Sequence, residues 1–260
     1  IDLMRSLGVR SGIIAPLIAR GRTIGALTVI SAESRRRYTS ADLVFADELA
    51  RRAAMAIDNG MLFDASERAR QDLTLLASRE STVADLAQEA LRTENFWELM
   101  QQISERLVET LGVDHAGVLE LYPGRQILIR AGEGWRPGLV TEVVFEAGDL
   151  PEVEQALRDG IATWQDLPAE LEGPSALARE HAIRGLLVVS VPGPNSPWGA
   201  LLVSSRTPRE FTTGEAAFLR AVGGVLAGAI EMRRNYRAQA ALARVAAALA
   251  QQLDRLGDVE

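Results

Sequence analysis

One pattern occurs twice in the chain, and it limits the fold more than any other feature. Residues 38–57 read YTSADLVFADELARRAAMAI and residues 211–230 read FTTGEAAFLRAVGGVLAGAI; Thr39 and Thr212, Phe45 and Phe218, Ala54 and Ala227, Ala56 and Ala229, and Ile57 and Ile230 coincide at one constant spacing. Upstream, GIIAPLIARGRTIGALTVIS from Gly12 aligns with GLLVVSVPGPNSPWGALLVSS from Gly185, the second copy being one residue longer in the break between its two apolar runs. Surface loops tolerate such changes. Each copy holds a β-branched run, a turn-rich break, a second such run, a Thr and a helical pattern, which predicts strand, turn, strand, helix. Thr39 with Asp42, and Thr212 with Glu215, have the spacing of a reciprocal helix cap. Behind the caps, Phe45, Leu49, Ala53 and Ile57, and Phe218, Val222, Val225 and Ala229, recur at helical intervals and predict one buried stripe in each helix. Gly223, Gly224 and Gly228 are expected to let the second helix approach its neighbour closely, since each glycine costs a helix about 1 kcal/mol relative to alanine.

The remaining segments extend this plan. Residues 61–92 lack Pro and Gly, and Leu62, Ala65, Ala69, Leu73, Leu76, Val83, Leu86 and Ala90 keep roughly helical spacing. They predict a linker helix whose thin stripe, interrupted near Glu80, needs a partner. Thr93, Glu94 and Asn95 break it before Phe96, Leu99, Ile103, Leu107 and Leu111 resume a helix that Gly112 ends. Strands are predicted at 116–121 and 126–131 around a Tyr122-Pro123-Gly124-Arg125 turn, followed by a short run at 140–145, a helix at 150–160, a strand at 161–164 and a helix at 175–181. The glycines of 132–138 do not open a helix after a parallel-type strand, so a dinucleotide loop is a weak reading. From Tyr236, Leu242, Val245, Leu249, Leu253 and Leu256 lie near heptad spacing and predict a coiled-coil helix.

Composition removes several chemistries. The chain has no cysteine among its 260 residues, and all 28 of its basic residues are Arg. Thiolate catalysis, thiolate metal sites, a thioether-linked chromophore, a P-loop lysine and a Schiff base are therefore excluded. A net charge of −7 argues against a non-specific nucleic-acid surface, and Arg35, Arg36 and Arg37 read as a solvated turn. The longest apolar run, 221–230, falls short of the roughly 20 residues of a membrane span, so no membrane partner and a cytoplasmic location are expected.

The order strand, hairpin, "GALxV" strand, "(Y/F)T" cap and "AxxAAxAI" helix resembles the C-terminal half of a GAF domain, a small-molecule-sensing and dimerisation module of signalling proteins. The stretch "LxxLYPGxxxxIRAGEGWxxGLV", with "AxxxDL" and "LxxEHxIxxGLLVxVxGxxxPWGxLxV", resembles the sensor GAF domains of bacterial histidine kinases and cyclic-di-GMP enzymes over most of 96–232. The resemblance implies an α+β fold, a GAF-like central antiparallel sheet flanked by helices with long connecting helices and with a pocket on one face. Residues 1–60 would be the C-terminal half of a first GAF-like unit of a longer chain, 61–93 a helical linker, 94–232 a complete second unit and 233–260 a signalling or coiled-coil helix. Residues 150–157 depart from the family pattern beside its pocket, so ligand identity does not carry over.

For the site, Trp135, Phe145, Trp164, Leu177 and Ile183 are candidates to line the ligand cavity, and they read equally well as core. Asp166 is placed to cap a turn or to bind a ligand. His181 is a conceivable haem or metal ligand, although the nearby acids lack ligand spacing and a structural histidine is favoured; His115, after a helix-ending glycine, reads as a surface or turn residue. Relatives that reduce methionine sulfoxide need cysteines, and the "NKFDE"-type pattern of cyclic-nucleotide-binding relatives is absent. The function expected is a regulatory sensor that binds a small molecule, or relays change through dimeric helices to an output domain of kinase, cyclase or phosphatase type in the same polypeptide, or does both, without catalysis and with no identified cofactor; the alternative is a ligand-free dimerisation scaffold.

Overall fold

The computed structural model describes residues 8–32, 36–93, 95–166 and 175–257, with side chains to residue 244. Two compact units divide the chain, Ile1–Leu76 and Ala77–Glu260.

In the first unit β1 (Ser11–Ala19) and β2 (Arg22–Ser31) form an antiparallel hairpin. Arg20 and Gly21 both take positive φ in its turn, as a two-residue connection with the strands' right-handed twist requires. Helix α1 (Ser40–Arg92) opens at the predicted cap: the Thr39 N–H donates to Asp42 Oδ2 at 2.8 Å and the Asp42 N–H to Thr39 Oγ1 at 3.3 Å. The face it buries differs from the expected stripe. Ala46 and Ala50 pack against Ile13 and Ala15, and Ala54 is buried beyond them, whereas Phe45 is 70% exposed and Leu49 and Ile57 also face outward. The alanine stripe has the same period, displaced by one residue, and its small side chains let the helix lie close on the hairpin. Hydrophobicity alone selects the bulkier neighbours. On the open face of the hairpin Ile14, Ile18 and Ile30 are exposed.

The second unit is built on a six-stranded antiparallel sheet in the order β5-β4-β3-β8-β7-β6. Its strands are β3 (His115–Tyr122), β4 (Gln126–Glu133), β5 (Val144–Glu146), β6 (Ile161–Trp164), β7 (Gly185–Val191) and β8 (Gly199–Ser205). The predicted short run at 140–145 is thus strand only at its end. Alternation along the central strands feeds two cores. On one face Val118, Ala131, Leu187, Val189, Leu201 and Val203 meet three helices: the end of α1 through Leu86, α2 (Phe96–Leu111) through Leu99, Met100, Ile103 and Leu107, and α5 (Thr213–Gly257) through Phe218, Leu219, Val222 and Leu226. On the other, Leu119, Ile127, Ile129, Leu186, Val188 and Leu202 meet α3 (Pro151–Asp159) and α4 (Ala176–Glu180). Fully burying a side chain of this size stabilises by about 1.5–3 kcal/mol, so both faces contribute.

The helix ends follow the expected chemistry. Asn95 accepts from the Trp97 N–H at the start of α2, and Gly112, at φ 58°, closes it in the left-handed conformation. At the start of α5 the Thr212 N–H donates to Glu215 Oε2 at 2.8 Å and the Glu215 N–H to Thr212 Oγ1 at 3.2 Å, repeating the cap of α1. Two expectations for α5 need correction. Gly224 and Gly228 face open space and Gly223 leaves ordinary van der Waals distance to Leu201, so among the described residues no neighbour exploits the missing side chains for a closer approach. The stretch Thr213–Arg244 is also long and apolar enough to cross a membrane by length and composition, which residues 221–230 read alone are not. Its stripe of Leu219, Val222 and Leu226 lies on the sheet. Leu242 is exposed, and the side chains of Val245, Leu249, Leu253 and Leu256 lie outside the described residues.

Candidate functional site

At one end of the sheet, where β3 and β7 begin and β4 and β8 finish, titratable and aromatic side chains converge. Asp114 leads into β3. Its Oδ2 accepts from the Arg206 N–H at 2.8 Å and from Ser205 Oγ at 3.2 Å, and the backbone hydrogen bond from Arg206 leads the effects that hold its carboxyl below the usual range.

His115 follows and is completely buried, against its expected surface position. The register of β3 and β8 sets it opposite Ser204, with Nδ1 3.2 Å from Ser204 Oγ and Nε2 3.3 Å from an Arg206 guanidinium nitrogen. A guanidinium only donates, so Nε2 accepts and Nδ1 carries the proton to the serine. Burial, reinforced by the positive charge of Arg206, lowers the imidazole pKa to about 4. His115 is therefore neutral near pH 7.

Trp135 stacks on His115, ring centres 4.8 Å apart at 28°, and donates from Nε1 to the Ala116 carbonyl at 2.7 Å. Its seat depends on Gly132, where a Cβ would come within 2.5 Å of the indole. Gly134, at φ 83°, passes so close to the Asp114 carbonyl that a side chain there would clash with it. His181 completes the cluster edge-on, 5.0 Å from Trp135 and 5.4 Å from His115. It ends α4, Nδ1 lying 3.1 Å from the Leu177 carbonyl while Nε2 accepts from the Arg136 N–H at 3.3 Å. Both of its ring nitrogens are engaged by backbone, which makes it a structural histidine here. Among the described residues no three His, Asp or Glu side chains group as a metal site.

Above these rings lies a cleft of about 400 Å³ lined by Gly134, Trp135, Arg136, Glu180, His181, Ala182 and Arg206. Arg136 pairs with Glu180 at 2.5 Å. Arg206 forms no ion pair among the described residues.

Of the seven residues selected from sequence, only Trp135 and His181 meet in this cleft. Leu177 and Ile183 are buried in the second core, and Phe145 and Trp164 pack against it. Asp166 is exposed, its Oδ1 3.0 Å from Arg184 Nε, and it takes no part in the cleft. The face expected to carry the pocket is thus where most of the candidates serve as core. Sequence reasoning missed His115, Arg136 and Arg206 because only strand register and the return of α4 bring them together. It also missed Glu152, almost wholly buried on α3, with Oε1 2.6 Å from Ser175 Oγ and Oε2 without a hydrogen-bond partner among the described residues. Burial raises its pKa, the serine opposing in part.

A six-stranded antiparallel sheet with long helices on one face and short helices on the other defines an α+β domain of the kind the resemblance implied. The GAF domain model matches residues 1–57 and 97–230; the chain belongs to the GAF domain family. A comparison with proteins of curated function finds no match. Among solved structures, the GAF domain of a phosphoenolpyruvate-protein phosphotransferase from Coxiella burnetii is similar with a TM-score of 0.55 at 18% identity, covering 63% of this chain and 98% of that one. The corresponding domain from Acinetobacter gives 0.51 at 17%, covering 61% and 95%. Free methionine-R-sulfoxide reductase from Neisseria meningitidis, in complex with its substrate, gives 0.53 at 14%, covering 62% and 93%. At these identities the likeness is one of fold.

Proposed function

We propose that the chain is a regulatory sensor module of a bacterial, cytoplasmic signal-transduction protein, with GAF-like units in tandem. It would act as a homodimer and pass conformational change through its long helices to an output domain of kinase, cyclase or phosphatase type in the same polypeptide. One junction in the second unit carries this reading. Arg79, on the incoming helix α1, lies 3.5 Å from Glu215 in the first turn of the outgoing helix α5, and both side chains are nearly buried. Arg209 bonds the same Glu215 oxygen at 2.7 Å and reaches the Leu111 and Gly112 carbonyls at the end of α2. Burial alone would raise the Glu215 carboxyl, but hydrogen bonds from Thr212 and Arg209 outweigh it and hold it below its usual value. One ionised carboxylate therefore ties the body of α1 to the first turn of α5 and, through Arg209, to the end of α2, and a shift of α1 is felt at the first turn of α5. A ligand biases such a device only through different affinity for its two states.

The second reading, a ligand-free dimerisation scaffold, is favoured by the second core, where Phe145, Trp164, Leu177 and Ile183 occupy the face on which a pocket was expected. Native mass spectrometry of the whole chain purified from a bacterial host separates the two. A dimer mass with a retained small molecule is expected; a dimer that is empty and stays empty across a metabolite extract would reject the sensor in favour of the scaffold.

A further inference from the structure

We infer that the cleft over Trp135 and His181 is a binding site for a small organic carboxylate with a flat apolar body. The inference rests on the sensor reading and gives it a ligand class and a place.

The charge is set by the rim. Arg136 is already matched by Glu180, whereas the exposed Arg206 sets a guanidinium nitrogen 3.3 Å from the neutral Nε2 of His115 and forms no ion pair among the described residues. A guanidinium has five N–H donors in a planar fork, and a carboxylate satisfies two of them at once. Asp114 spends one oxygen on the Arg206 N–H and Ser205; its charge acts on Arg206 without an ion pair among the described residues, so the guanidinium keeps donors for an incoming anion. A cationic ligand would meet two arginines against the single carboxylate of Glu180.

The floor sets the body. Trp135 commits its only donor to Ala116, and His181 commits both ring nitrogens to the Leu177 carbonyl and the Arg136 N–H. The rings thus present apolar surface with no spare polar atom, suited to a planar hydrocarbon rather than to the remaining oxygens of a phosphate. A volume of about 400 Å³ lies within the range of small-molecule sites.

The test uses the whole chain, with benzoate as probe and benzamide and inorganic phosphate as controls. Isothermal titration should show one benzoate per chain, no response to benzamide, and no displacement by phosphate. Arg206→Gln, at an exposed position, should weaken benzoate at least about tenfold with an unchanged melting temperature, and the indole N–H resonance that Trp135→Phe deletes should shift on binding. Benzoate bound equally by the variant, phosphate that competes, or no binding up to about 10 mM would each overturn the assignment. A molecule retained in native mass spectra by wild type and Arg206→Gln alike, and not displaced by benzoate, would overturn the cleft while leaving the sensor reading intact. No retained molecule and no benzoate response would overturn both.

Discussion

His115 shows how far a single position can depart from its local sequence. In the unfolded chain it takes up a proton near 6.5, in the fold only near about 4. Between those values the unfolded state binds a proton that the native state refuses. The stability owed to the neutral imidazole is therefore complete above the upper value and is lost as the pH falls toward the lower, at no more than about 1.4 kcal/mol per pH unit for one proton. Urea unfolding of wild type and His115→Asn should show the wild type's advantage shrinking between about pH 7 and pH 5; a constant difference would mean the imidazole titrates normally. The sequence around His115, a glycine-ended helix followed by a strand, gives no sign of burial. Ser204, 89 residues away, and Arg206 decide it through the β3–β8 register. Trp135 and His181 were legible as candidates because large or titratable residues beside turns attract attention. Arg136 and Arg206 were not, since isolated arginines in an arginine-rich chain carry no pattern.

At the scale of elements, the caps Thr39–Asp42 and Thr212–Glu215 were readable because capping is a local interaction between residues three apart. The buried faces were read with mixed success. Phe218, Val222 and Ala229 of α5 lie buried as expected, while α1 buries alanines where the bulkier stripe was anticipated. Periodicity fixes that a helix has a face, and the neighbour fixes which one. The glycines of α5 give a direct check. Since a Cβ at Gly224 or Gly228 meets nothing within 4 Å among the described residues, Gly224→Ala and Gly228→Ala should each stabilise by about 0.5–1 kcal/mol, measured as a raised unfolding midpoint. Loss of self-association without that gain would place a partner helix against them.

For the whole molecule, the proposed dimer is tested at the outgoing helix. Leu249→Asp should weaken self-association in sedimentation experiments, with the second unit's thermal transition preserved; unchanged sedimentation would rule out a coiled coil there. The filled second core has a consequence at this scale as well. A module whose second core is packed with Leu119, Ile127, Leu150 and Leu177 resists local rearrangement, because close-packed interiors transmit displacement rather than absorb it. In the proposed sensor, signals would then be carried by movement of helices as bodies, and the Arg79–Glu215–Arg209 junction is where such movement would register.

The sequence by itself determined the repeated strand-hairpin-helix unit, the helix caps, the α+β class and the absence of cysteine and lysine chemistry, all of which depend on residues close in the chain or on composition. Tertiary structure alone decided which stripe α1 buries, that His115 lies inside, and that the polar cleft gathers Trp135, Arg136, His181 and Arg206 at one end of the sheet. Those outcomes depend on strand register and on which element covers which face, and both are set by contacts between residues distant in sequence.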